Sequence, residues 1–258
     1  MSAGLPDVTE TLARHDFVWF APQGARTALA VAPATRVGDG INRSVNDSID
    51  DGAGASAADR ARQLLMDWTQ RGFPLIVARQ CAASGLDRVR VGLALPPHLG
   101  KLRLAFLMER CHLIRREPPP SLQAIGAAAP AHWLPLLEQL TGDPAVQATR
   151  PRVTGSAAMT MLTGLECVGP ESDLDLLMTP GSWDAALECV RALERMGAAC
   201  PVPRLDGELL APDGSAVAWR EFAAQPARVL VKDAGAVRLE EAATLRRRFL
   251  AAHSLQAA

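Results

Sequence analysis

Three consecutive prolines, Pro118-Pro119-Pro120, most constrain what this chain can fold into. Proline lacks a backbone N–H and has a fixed φ, so neither a helix interior nor a central strand can run through them. With Glu117 and Ser121 they predict an extended segment. The 258 residues leave room for a domain on either side. The reading is one domain over residues 1–120 and a second over 121–258. With 48% hydrophobic and 21% charged residues, both can bury cores without disulfides.

In the first part, residues 15–20 and Thr27 to Val31 read as short strands, the second ended by Pro33. Val37 to Ser56 is rich in Gly, Asp, Asn and Ser and reads as a loop. Ala61, Leu64, Leu65 and Trp68 recur at helical spacing, so Ala57 to Arg71 is a helix, with Ser56 as N-cap and Gly72 as its stop. Phe73 to Ala78 and Val89 to Leu95 are apolar runs of strand length, and a further strand begins at Arg103 to Phe106. This predicts a small mixed α/β domain.

The second part alternates more clearly. His132 to Leu140 is a helix with Trp133, Leu136, Leu137 and Leu140 on one face, ended by Thr141-Gly142-Asp143-Pro144. Arg152-Val153-Thr154 is a strand leading into Gly155-Ser156, and Ala157 to Thr163 is a helix ended by Gly164. Leu174 to Met178 is a strand, and Trp183 to Met196 a helix closed by Gly197. Strands follow over Ala199–Leu205, Glu208–Leu210, Ala216–Trp219 and Arg228–Lys232, with Asp213-Gly214 as a two-residue hairpin turn. A last helix spans Glu240 to Ala252. The class is α+β, the second domain having a mixed sheet flanked by helices.

The chemistry centres on Ser172-Asp173-Leu174-Asp175-Leu176-Leu177. Alternate side chains of a strand share a face, so Asp173 and Asp175 point together, roughly 6–7 Å apart at the backbone. Two adjacent anions repel unless a cation lies between them. A hard divalent ion suits oxygen ligands, which predicts Mg²⁺, with Mn²⁺ as an alternative. Upstream, Gly155 permits close backbone approach to a phosphate, while Ser156 and the following helix N-terminus can bind the anion. A phosphate cradle beside a metal site fits displacement at phosphorus. A third carboxylate is expected on a later strand. Asp206 and Glu208 both qualify, with Asp206 preferred, although Asp206-Gly207 also reads as a polar turn.

These residues resemble the malonate decarboxylase holo-acyl-carrier-protein synthase family, which are phosphoribosyl-dephospho-CoA transferases. The resemblance is carried by Pro151 to Ala158, Thr163-Gly164-Leu165 and Ser172 to Leu177. It extends through Pro74 to Arg79, Leu93 to Pro96, Gly100-Lys101, Leu205 to Leu209, Ala218 to Glu221 and Val229 to Lys232. It implies an enzyme with a nucleotidyltransferase-like second domain. Its substrate would be 2'-(5''-triphosphoribosyl)-3'-dephospho-CoA, and its acceptor a serine of the apo acyl-carrier subunit of malonate decarboxylase. Pyrophosphate would leave, and Asp173 and Asp175 would be the catalytic pair. Other readings are a nucleotidyltransferase acting on another acceptor and a binding module without turnover.

Arg79, Lys101 and Arg103 are candidates for binding the nucleotide or carrier phosphates, with Lys232 a further option. Arg246-Arg247-Arg248 reads as a solvated helix face, with carrier docking as the sharper alternative. The formal net charge of −1 argues against a general nucleic-acid coat protein. Cys81, Cys111, Cys167, Cys189 and Cys200 are scattered, as single thiols in or near a core would be. The N-terminus carries no signal pattern, and no apolar run is long enough to span a bilayer, so the expected compartment is the cytoplasm.

Overall fold

The computed structural model describes residues 12–36, 56–80 and 84–256, with side chains described for 12–31, 56–80 and 84–250. The N-terminal residues Met1–Asp7, the loop expected over Val37–Ser56 (Ser56 apart) and Cys81 lie outside them. The chain divides into two units, Met1–Pro118 and Pro119–Ala258.

The first unit is built on β1 (Phe17–Phe20), β2 (Leu29–Arg36), β3 (Leu75–Val77), β4 (Arg88–Ala94), β5 (Leu102–Glu109) and β6 (Leu113–Glu117). They form one antiparallel sheet in the order β2-β5-β4-β3-β1-β6. In β4, Val89, Val91 and Leu93 are buried at period two, the signature of a strand with one face on a core. Helix α1 (Ala57–Gln70) starts at a capping box in which Ser56 and Asp59 satisfy each other's backbone N–H groups. It buries Leu65 and Trp68, and the Trp68 indole donates to the Pro74 carbonyl at 2.9 Å.

Two features depart from expectation. Strand β2 runs through Pro33 instead of ending there, because β2 is an edge strand, where proline is tolerated, and Pro33 falls where the pairing register shifts. The irregular register of β2 against β5 absorbs the distortion. Strand β6 was not expected, since Leu113-Ile114-Arg115-Arg116-Glu117 lacks an apolar alternation. It is the other edge, where charge is tolerated and discourages further pairing. The Arg115 guanidinium lies 3.6 Å above the Trp19 ring, and Arg116 Nε donates to the buried Asp16 carboxylate at 2.7 Å.

The second unit contains β7 (Arg152–Val153), β8 (Leu174–Met178), β9 (Leu205–Leu210), β10 (Ala216–Ala218), β11 (Arg228–Lys232) and β12 (Val237–Glu241). The sheet order is β12-β11-β10-β9-β8-β7. Only β8 and β9 run parallel, and the intervening helix makes the crossover. The helices are α2 (Leu134–Gly142), α3 (Pro144–Gln147), α4 (Gly155–Thr163), α5 (Trp183–Ala199), α6 (Trp219–Ala223) and α7 (Ala242–Gln256). Their apolar faces join Leu174, Leu176, Met178, Leu205 and Leu209 of the sheet in one core, with Trp133, Leu140, Leu193 and Trp219 fully buried. The molecule is thus α+β. Cys167 and Cys189 are buried, Cys200 is half-buried and Cys111 is exposed. Burial pushes the Cys189 thiol up to about 11.

Several boundaries differ from the sequence reading. The helix expected from His132 begins as a 3-10 turn at Ala131–Trp133 and becomes α2 at Leu134. Helix α5 passes Gly197 and ends at Ala199, since an interior glycine costs only about 1 kcal/mol. No strand occupies residues 199–204, and β9 begins only at Leu205. A single strand, β9, replaces the expected pair and contains Gly207 in its interior. Asp213-Gly214 is part of a longer loop: Ala211 N–H donates to the Ser215 carbonyl, and Gly214 adopts φ +80°. Glu240 belongs to β12, so the last helix starts at Ala242.

Candidate active site

Strand β7 pairs antiparallel with β8, and Thr154 N–H donates to the Asp175 carbonyl at 2.9 Å. The chain then turns sharply into α4 at Gly155, which has φ +64°. A Cβ on Gly155 would collide with the Asp175 carboxylate, its Cγ lying only 2.9 Å from that position. Glycine therefore allows the start of α4 to lie against Asp175. Thr154 makes no side-chain cap to the first N–H groups of this nine-residue helix, which begins against the Asp175 carboxylate.

The parallel register of β8 and β9 sets Asp175 opposite Asp206, Leu176 opposite Gly207 and Leu177 opposite Glu208. Neighbouring strands lie about 4.8 Å apart, so Asp206 joins the Asp175 side of the sheet as its nearest cross-strand acid. Gly207 has φ +134°, and a Cβ there would be driven into the Leu176 backbone. Asp206-Gly207 is accordingly the middle of a strand, not a turn. Glu208 is engaged elsewhere, accepting from Lys232 Nζ at 2.9 Å. The two faces divide the labour: Leu174, Leu176 and Met178 enter the core, while Asp173 and Asp175 alternate away from it.

Arg204, which the sequence reading passed over, holds the acids together. Leu174 N–H donates to the Arg204 carbonyl at 2.9 Å, fixing this residue beside Asp173. Its Nε donates to Asp173 Oδ1 at 2.9 Å and its Nη2 to Asp173 Oδ2 at 2.5 Å. The same Nη2 lies 3.6 Å from Asp206 Oδ2. The hydrogen bonds to Asp173, then its charge, with smaller contributions from Asp206 and Asp175, raise Arg204 above its ordinary value. One residue on, the Leu205 carbonyl accepts from Arg220 Nε and Nη2 at 3.2 and 2.9 Å, anchoring the start of β9.

The donor set is of the chemistry that a hard divalent cation takes, but the oxygens of these three aspartates do not all lie within 4.8 Å of one another as they stand. Asp173, Asp175 and Asp206 offer only carboxylate oxygens, and a positive group is already drawn to them. The set is open. Among the described residues, the group of three possible ligands within 4.8 Å of one another is instead Glu109, Cys111 and His112, in the first unit.

Ser156 is half-buried in the first turn of α4. Arg79, Lys101 and Arg103 belong to the first unit and are exposed. They do not form one cluster there. The Ala78 N–H, next to Arg79, donates to the Arg90 carbonyl, whereas Arg103 pairs with Ala94, four residues further along β4, about 14 Å at 3.4 Å per residue. In α7, Arg248 is tied to Glu240, Asp213 and Ser215, and Arg247 donates to Thr244. Arg246 lies 5.9 Å from the Trp183 ring. Among the described residues, no helix is long and apolar enough to cross a membrane.

This arrangement can be set beside known proteins. A family model described as the phosphoribosyl-dephospho-CoA transferase MdcG C-terminal domain matches residues 121–243, and the corresponding N-terminal domain model matches 13–119. The chain is therefore an enzyme, of the transferase class. A Bradyrhizobium diazoefficiens protein named phosphoribosyl-dephospho-CoA transferase is 36% identical over 219 residues, covering 85% of each chain. Proteins of the same name from Xanthomonas campestris and Pseudomonas putida are 38% and 31% identical. They align over 67% and 69% of this chain and 80% and 84% of their own. The chain belongs to the phosphoribosyl-dephospho-CoA transferase family. No solved structure matches.

Proposed function

We propose that this enzyme transfers the phosphoribosyl-dephospho-CoA group from 2'-(5''-triphosphoribosyl)-3'-dephospho-CoA to a serine of the apo acyl-carrier subunit of malonate decarboxylase, in the cytoplasm. Pyrophosphate is the leaving group. The observation that carries this reading is the meeting of Asp175, Asp206 and the α4 N-terminus beside the starts of β8 and β9 in the second unit's mixed sheet. The serine oxygen forms a bond to the α-phosphorus as the bond to the pyrophosphate oxygen breaks, and a carboxylate takes the serine proton. Asp173, Asp175 and Asp206 would hold Mg²⁺ or Mn²⁺, which when bound neutralises charge on the phosphates. Ser156 and the first N–H groups of α4 bind the terminal phosphates and hold them in line for displacement. The residues thus position and neutralise, and form no covalent intermediate.

Incubation with the apo carrier and the triphosphoribosyl nucleotide, followed by mass spectrometry of the carrier, tests this directly. The carrier gains the mass of the prosthetic group. Asp173→Asn and Asp175→Asn each slow that gain at least about a hundredfold without loss of fold by circular dichroism. An unmodified carrier alongside nucleotide transfer to another acceptor would reject this acceptor and favour a different nucleotidyltransferase activity.

A further inference from the structure

Arg204 occupies the oxygens that a cation would need. Its guanidinium engages both oxygens of Asp173 and reaches toward Asp206. Three carboxylates against one guanidinium leave an excess of negative charge, so the fork offsets only part of the repulsion among them. The main chain of Arg204 is held by the hydrogen bond from Leu174, but its side chain is 57% exposed. The head group can therefore leave Asp173 without disturbing the strand that follows. Once released, it is still tethered within side-chain reach of the acids. A planar guanidinium then presents paired donors that match phosphate oxygens.

We propose that Arg204 is a resident counter-ion of the carboxylate set. An incoming metal-bound triphosphate displaces it from Asp173, and the freed guanidinium then binds the phosphate chain. This rests on the metal-site reading given under Proposed function. It adds an exchange of cations that the carboxylates alone would not require. It also makes Arg204 a substrate-binding residue, not only a structural ion pair.

The experiment uses the full-length protein and two probes, Mn²⁺ alone and inorganic triphosphate. Mn²⁺ binding is followed by electron paramagnetic resonance for the wild type, Arg204→Ala, Arg204→Lys and Asp175→Asn. Removing the competing cation in Arg204→Ala tightens Mn²⁺ binding by up to about fivefold, the equivalent of an exposed ion pair of about 1 kcal/mol. The same variant weakens inorganic triphosphate binding to the Mn²⁺-loaded protein by a similar factor. Arg204→Lys keeps Mn²⁺ binding near the wild-type value and loses part of the triphosphate affinity, because it keeps charge but not the fork. Opposite signs for the two probes distinguish exchange from a structural role, which would weaken both. Unchanged or weaker Mn²⁺ binding in Arg204→Ala overturns the inference when the wild type binds Mn²⁺ and Asp175→Asn does not. If the wild type binds no Mn²⁺, or Asp175→Asn binds it normally, the metal-site reading fails and this inference fails with it.

Discussion

At Gly155 a hydrogen stands where any other residue would place a methyl group against the Asp175 carboxylate. The backbone there is also left-handed, so a side chain is opposed twice, by space and by φ. Relief requires the start of α4 or Asp175 to move. A misplacement of about 1 Å at such a centre costs on the order of a hundredfold in rate. Gly155→Ala should therefore lower kcat/KM by about that factor while the far-ultraviolet circular dichroism spectrum stays unchanged. Gly207 obeys a similar rule one strand away, where the obstacle is the Leu176 backbone. Backbone yields less readily than a carboxylate, so that position governs the sheet itself.

Among elements, α5 links the two strands that carry the acids. Ser182 caps it by accepting from Ala185 N–H at 3.1 Å. Loss of such a cap costs about 1 kcal/mol, so Ser182→Ala should lower the urea midpoint modestly and leave the slope unchanged. Regular elements of this kind were legible in the sequence, because their apolar residues keep strict periods: Val89, Val91 and Leu93 in β4, or Leu136, Leu137 and Leu140 in α2. The misses share a different physics. Strands β6 and β12 are sheet edges, where one side meets solvent and the pattern becomes charged. Strand β9 was divided because Asp-Gly is a turn signal in isolation, and only its pairing with Leu176 explains a glycine in mid-strand. The order β7, Gly155-Ser156, α4, β8 was legible because it is local. Arg204 was not, since an arginine's partner lies across strands and its own neighbours, Pro203 and Leu205, say nothing of Asp173.

In the whole molecule, the second unit's core is one continuous cluster drawn from α2, α5, α6, α7 and the sheet. Trp133 is 1% exposed within it. Truncating a buried tryptophan costs about 3–5 kcal/mol, a large part of a typical total of about 5–15 kcal/mol. Trp133→Ala should therefore cut soluble yield and the urea midpoint sharply, whereas Arg204→Ala, which loses an exposed ion pair of about 1 kcal/mol, should lower the midpoint only slightly and leave the yield unchanged. The alternation along β8 and β9 has a further consequence for how such a protein can diverge. In β8 and the residue before it, even-numbered Leu174, Leu176 and Met178 answer to folding, while odd-numbered Asp173 and Asp175 answer to the proposed chemistry. In β9 the parity reverses, with Leu205 and Leu209 facing the core and Asp206 facing the acids. Selection for a new acceptor and selection for durability thus act on interleaved but separate letters of the same two segments, and neither has to wait for the other.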